Sequence, residues 1–233
     1  MARSAKNPPN TGKGHWKCQG GLERELRARG FQFIAGADEV GRGSLFGAVV
    51  AGAVILSPDC PIRGLNDSKQ IEPERREVLA ERIKERATAW AVAAVDAATI
   101  DRINIYEASR LAMKTALAQL SPAADFALID AVPLEISIPQ QPIVQGDERC
   151  HAIAAASIVA KVYRDQMMRE WDKFYPEYGL RNHKGYQAPE HMAAIRKYGP
   201  TPLHRLSFAA VRKYALYSPL PKDRQMEMFA AAV

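Results

Sequence analysis

No run of apolar residues in this 233-residue chain approaches the roughly 20 that a membrane-spanning helix needs, so no transmembrane helix is expected. Cysteine is scarce. Cys18, Cys60 and Cys150 are odd in number and far apart, which excludes a disulfide framework and a zinc pattern. The first ten residues are polar and hold no apolar signal core, so a reducing cytoplasm is the expected location. Internal repeats and a second apolar core are also missing, which leaves one domain of about 150–200 residues with tails. Finally, the body lacks a charge of one sign. The net charge is +6, but residues 1–29 hold seven basic and two acidic residues (+5), and the rest holds 25 basic and 24 acidic (+1). Basic charge is therefore no argument that the folded body binds nucleic acid. Function has to be read from sites.

The pattern divides the chain into a flexible basic leader (1–29), a folded α/β domain (30–217) and a C-terminal tail (218–233). Leu22 to Arg29 reads as a short helix stopped by Gly30. Two apolar stretches of strand length, Phe31–Ala37 and Gly47–Leu56, flank a glycine-rich turn and predict a hairpin. Pro73 between two glutamates marks a helix start, and Leu79, Ile83 and Ala87 recur on one face. Thr88–Ala97 predicts a third strand, Met113 to Leu120 an amphipathic helix, and Phe126–Ile129 a short buried strand ending at Asp130. After Pro142–Val144, the stretch Ala152 to Val162 is too apolar all round for a surface helix and should be buried. Another helix follows from Pro189 to about Lys197. Strands in a meander, then strand and helix in alternation, predict a mixed sheet with helices on its faces and a helical C-terminal region.

Four carboxylates occupy costly places. Asp38 and Glu39 follow the first strand, Asp130 ends a later one, and Asp147 precedes the most apolar helix. Acids packed together beside buried elements repel one another unless a cation sits among them, and oxygen-only ligands select Mg2+ or Mn2+ over zinc. Taken singly, each could equally be a solvated acid in a turn. Neighbours in a regular strand point to opposite faces, so for Asp38 and Glu39 to share a site the strand is expected to end or bulge there, as Gly41 and Gly43 would permit.

Gly41-Arg42-Gly43 is a turn whose bare backbone can approach a phosphate or a sugar hydroxyl, or simply a glycine-rich hairpin turn. Asn66-Asp67-Ser68-Lys69 precedes a helix, so Asp67 or Ser68 can cap it while Lys69 reaches a phosphate. In His183-Lys184-Gly185-Tyr186, Lys184 can balance phosphate charge and Tyr186 can stack on a nucleotide or pack on the surface. His191 and His204 are read as structural or solvated rather than as ligands or proton carriers.

In unbroken order over residues 31–215, these segments resemble the ribonuclease HII family. The matching pieces are Asp38 to Gly43, Leu65 to Lys69, Leu128 to Asp130, Gly146-Asp147, Ala154 to Val162 with Arg164-Asp165, His183 to Tyr186, and Arg205 to Phe208. The resemblance implies a ribonuclease H-like fold and four metal-binding acids, Asp38, Glu39, Asp130 and Asp147. It also implies a turn, Gly41-Arg42-Gly43, that senses the ribose 2′-hydroxyl, and a tyrosine, Tyr186, that packs on the next sugar. Two divalent ions about 4 Å apart would then serve hydrolysis of a phosphodiester, with Asp38 bridging them. Three departures stand out: Ser44 replaces a common proline and should loosen the turn slightly, Ala131 replaces a usual glycine and should shift Asp130, and Ala188 stands where threonine is frequent.

The expected activity is that of a monomeric endonuclease on RNA–DNA hybrids and on duplex DNA containing single ribonucleotides. A resolvase or transposase core would share the acids but lack the 2′-hydroxyl sensor, ribonuclease HIII would carry a larger N-terminal domain, and a catalytically dead duplex-binding module would not keep the acids. In the tail, Gln225, Met228 and Phe229 are similar to the short peptides that bind bacterial replication sliding clamps, with Pro219 and Pro221 as a spacer.

Overall fold

The structure, a computed structural model, describes residues 20–215. The chain runs α1 (Gly21–Ala28), β1 (Ile34–Val40), β2 (Val49–Leu56), α2 (Pro73–Arg86), β3 (Ala87–Val95), α3 (Ala97–Ile103), α4 (Ile105–Ala118), β4 (Phe126–Asp130), β5 (Gln140–Ile143), α5 (Gly146–Arg149), α6 (His151–Phe174), α7 (Leu180–His183), α8 (Pro189–Tyr198) and α9 (Ala209–Arg212). Its strands form one sheet in the order β3-β2-β1-β4-β5. The first three make an antiparallel meander, and β4 and β5 then add in parallel. The expected mixed sheet with flanking helices is what forms. Among the described residues no helix is long and apolar enough to cross a membrane.

The alanine-rich stretch explains how the sheet is covered. Ala152 to Ala160 is buried without interruption in α6. The helix lies so close to the sheet that a Cβ on Gly36 would come within 2.0 Å of the Ala152 carbonyl carbon. One on Gly52 would come within 2.4 Å of the Ala156 oxygen. Small residues on both sides thus let backbone meet backbone, and α6 becomes the fixed floor under β1 and β2. On the opposite face α4 buries Ala108, Ala112, Met113 and Ala116 against Ala35, Ala37, Val49, Ala51 and Ala53.

Several boundaries differ from expectation for local reasons. Helix α2 begins at Pro73 and buries Leu79 and Ile83, but Ala87 has extended backbone and opens β3. Helix α3 was not legible in the apolar pattern. It is started by Asp96, whose side chain accepts from the Thr99 N–H, and Asn104 starts α4 by accepting from the Glu107 N–H. The segment expected to be a flexible leader ends in α1, which is docked: Leu26 packs with Ile34, Phe126 and Ile153. Glu23 accepts hydrogen bonds from the Cys150 thiol (3.2 Å) and the Ala152 N–H (3.0 Å), capping α6 from outside. Gln225, Met228 and Phe229 lie outside the described residues.

Candidate active site

Strands β1 and β4 are parallel and adjacent, so their carboxyl ends open at the same edge, the usual place for a ligand in such a sheet. Asp38, Glu39 and Asp130 meet there, each offering a carboxylate oxygen within 4.8 Å of the others. The expected end or bulge at Asp38–Glu39 does not occur. The ladder with β2 runs unbroken through Asp38↔Gly52, Glu39↔Ala51 and Val40↔Val50. Pairing with β4, however, stops at Ala37↔Ile129. Past that point no described strand pairs with that side of β1, and the Asp38 and Glu39 carboxylates come together with Asp130 beside the open edge.

The crowded carboxylates raise one another's pKa values, a strain that a cation among them would relieve. Burial pushes the Asp38 carboxyl well above the usual carboxylate range, and Glu39 and Asp130 push it further. Burial likewise raises Glu39, against the opposing pull of Arg42, whose Nη1 lies 3.1 Å from Oε1. Burial raises Asp130 too, although its Oδ1 accepts from the Gly146 N–H at 2.8 Å. The other Glu39 oxygen, Oε2, is buried with no hydrogen-bond partner among the described residues. Crowded acids and an orphaned buried oxygen fit a hard divalent ion.

Asp147 stands slightly apart. It is not in the tight trio, but from α5 it faces Asp67 and Asp130, and burial with those two acids raises its pKa to about 6. Asp67 is the expected cap, accepting from the Lys69 N–H, and it is also the acid that acts most strongly on Asp147. Burial disfavours the Lys69 ammonium, yet Asp67, Asp147, Asp38 and Asp130 outweigh that effect and raise its pKa. Ser157 of α6, overlooked in the sequence, acts against the rise in the Asp38 pKa, and its hydroxyl lies 2.9 Å from that of Ser68, tying the 66–69 loop to the helix. A lone polar residue within so apolar a stretch was the available signal.

Beside the acids, Gly41 takes φ 91°, and Gly43 lies against Tyr186, whose ring would be 4.0 Å from a Cβ on it. Tyr186 remains 37% exposed, with Arg42 exposed nearby in the sequence turn. Lys184 has φ 52°, and its ammonium is turned onto the Arg181 carbonyl. Ser44 does not leave the turn loose, because it is buried and its hydroxyl donates to the Phe46 carbonyl at 2.9 Å. Ala131 carries the strain of the missing glycine, with φ 56°, while its N–H still donates to Ile143. His191 and His204 are buried rather than solvated, and neither belongs to the carboxylate trio.

A sheet of this topology with carboxylates gathered at the ends of β1 and β4 is of the ribonuclease H-like class. A family model described as Ribonuclease HII matches residues 35–211. A Ribonuclease HII of Solibacter usitatus (strain Ellin6076) is 67% identical over 94% of this chain and 96% of its own length. One of Koribacter versatilis (strain Ellin345) is 54% identical over 84% of this chain and 77% of its own. Among solved structures, the ribonuclease H2 of Pyrococcus horikoshii OT3 superposes with a TM-score of 0.67 at 25% identity, covering 79% of this chain and 98% of that one. The chain belongs to the ribonuclease HII family, endoribonucleases that act on the RNA of RNA–DNA hybrids.

Proposed function

We propose that this enzyme cuts both long RNA–DNA hybrids and duplex DNA at single embedded ribonucleotides, on the 5′ side of the ribonucleotide, leaving 5′-phosphate and 3′-hydroxyl ends. The observation that carries the reading is the carboxylate trio, three oxygens within 4.8 Å, at a sheet edge flanked by a glycine-arginine-glycine turn whose Arg42 and Gly43 are exposed. Asp38, Glu39 and Asp130 would hold a divalent cation, Mg2+ or Mn2+, and Asp147 would complete the set for a second. When bound, such ions supply positive charge for the scissile phosphate and a water activated near neutral pH.

The protein's own groups do the rest. Lys69, kept protonated by the surrounding acids, balances phosphate charge. The turn presents backbone N–H groups to the ribose 2′-hydroxyl, the group that separates RNA from DNA at one position. Tyr186, half exposed beside Gly43, packs on the adjoining sugar. Lys184 lies close to this surface and adds charge once it leaves the Arg181 carbonyl. The tail peptide Gln225, Met228 and Phe229 docks on a replication sliding clamp, and a Gln225→Ala/Phe229→Ala chain should lose binding to the purified clamp.

The test compares three duplexes with Mg2+ or Mn2+: all-DNA, one containing a single ribonucleotide, and a full hybrid. Cleavage of the last two with 3′-hydroxyl products is expected. Cutting of the all-DNA duplex at a comparable rate, or of the hybrid alone, would overturn the reading.

A further inference from the structure

Behind the turn lie two arginines with no solvent exposure, Arg164 and Arg205. All their hydrogen bonds among the described residues go to main-chain carbonyls. Arg164, from α6, donates Nε to Ala48 (3.2 Å), Nη2 to Phe46 (3.3 Å) and Nη1 to Lys184 (3.0 Å). Arg205, from the segment before α9, donates Nε to Gly47 (3.0 Å) and Nη1 to Arg42 (2.8 Å). Burying a guanidinium costs several kcal/mol, and these two like charges also oppose each other: burial and Arg164 together lower the Arg205 pKa to about 9. Apolar side chains would fill the same space without that cost. Two such cations directed at one turn and one loop therefore call for a reason beyond filling volume.

The reason lies in what they grip. In a planar trans peptide the C=O and the following N–H point in opposite directions. Arg205 draws the Arg42 carbonyl inward, which turns the Gly43 N–H outward. The N–H groups of Arg42 and Gly43 have no acceptor among the described residues, while those of Ser44 and Leu45 are occupied by the Gly41 and Gly185 carbonyls. Arg164 grips the other half of the surface. It holds the Lys184 carbonyl, and its guanidinium carbon lies 5.4 Å from the centre of the Tyr186 ring. Turn and arginine are interlocked, since a Cβ on Gly41 would lie 2.2 Å from the Arg164 Nε.

We infer that Arg164 and Arg205 are positioning residues for ribose recognition, fixing the 41–44 turn and Tyr186 in their binding arrangement before substrate arrives. This rests on the reading that the turn and Tyr186 recognise the ribose. Neither arginine touches the carboxylate trio in any described hydrogen bond, so the inference separates substrate selection from cation binding.

The experiment uses Arg205→Lys and Arg164→Lys in the full chain, which keep the charge but lose the planar fork that spans several carbonyls. For each, thermal unfolding, Mn2+ binding and cleavage kinetics are measured. Folded variants should bind Mn2+ as wild type does. Their kcat/KM on the single-ribonucleotide duplex should fall at least about tenfold, the loss expected for one charge-assisted hydrogen bond. Their preference over an all-DNA duplex should shrink. In the wild type without substrate, 15N relaxation should give residues 42–44 order parameters as high as the sheet, about 0.85. This second measurement stands even where a variant fails to fold. Unchanged selectivity in both folded variants, or a mobile turn in the substrate-free wild type, would overturn the inference while leaving ribose recognition intact. A wild type without ribose preference would overturn both.

Discussion

Lowering the pH should destabilise this protein through two buried histidines, His191 and His204. The hydrogen bonds fix their tautomers. The Thr201 N–H donates to His204 Nδ1 (2.9 Å), so the His204 proton is on Nε2. That nitrogen lies 3.1 Å from His191 Nε2, which must then accept, and His191 Nδ1 donates to the Tyr186 carbonyl at 2.9 Å. Both rings are neutral, and a proton on either would set N–H against N–H. His204 is enclosed by Phe46 and Tyr178, and His191 stacks on His183 at 4.5 Å. Burial depresses the pKa of His191 to about 4 and that of His204 to about 3. The unfolded chain binds these protons near pH 6.5, so stability is full above that value and is lost as the pH falls below it. By pH 5 the loss is about 2 kcal/mol per histidine. Acids with raised folded pKa values act in the opposite sense, so the measurement compares two chains. Urea unfolding from pH 8 to pH 5 should give His204→Gln roughly half the histidine loss of the wild type. Equal pH dependence in the two chains would refute the neutral-pair assignment.

Three further substitutions follow from local geometry. Ala131→Gly relieves a left-handed alanine worth about 1–2 kcal/mol against about 0.5–1 kcal/mol for the freer unfolded glycine, so differential scanning should show Tm rising by about 2 °C. Ala188 starts α8 with no side-chain hydrogen bond, and Ala188→Thr should stabilise by about 1 kcal/mol in chemical denaturation. Tyr186→Ala should reduce cleavage at a lone ribonucleotide more than cleavage of a long hybrid, where many registers are available; equal losses in parallel assays would remove Tyr186 from ribose recognition.

Local patterning carried much of this account. The hairpin strands, the face of α2 and the burial of Ala152 to Ala160 follow from apolar spacing alone, and Asp38, Glu39 and Asp130 were visible as acids closing apolar strands. What stayed hidden depends on residues distant in sequence. The continuity of β1 past Asp38 follows from its ladder with β2, and the open edge that lets Glu39 join Asp38 follows from where β4 stops. Asp67 acts on Asp147 across a long sequence separation, from a 66–69 loop tied to α6 through Ser68 and Ser157. The arginine pair had a faint signal. Arg164 lies seven residues after Ser157, two helical turns along the same buried face, but its targets at 46, 48 and 184 are set by the tertiary fold.

If the carboxylates at the ends of β1 and β4 hold the cation that drives cleavage, losing one of them should remove both cation binding and turnover. The decisive variant is Asp38→Asn, with turnover on a single-ribonucleotide duplex and thermal unfolding measured with and without Mn2+. Removing one of several crowded buried charges should leave the metal-free variant at least as stable as wild type. Mn2+ should raise the wild-type Tm, through binding to the folded state, far more than that of the variant. Turnover should fall by orders of magnitude. A folded Asp38→Asn chain with near-normal turnover and an undiminished Mn2+ response would contradict the account.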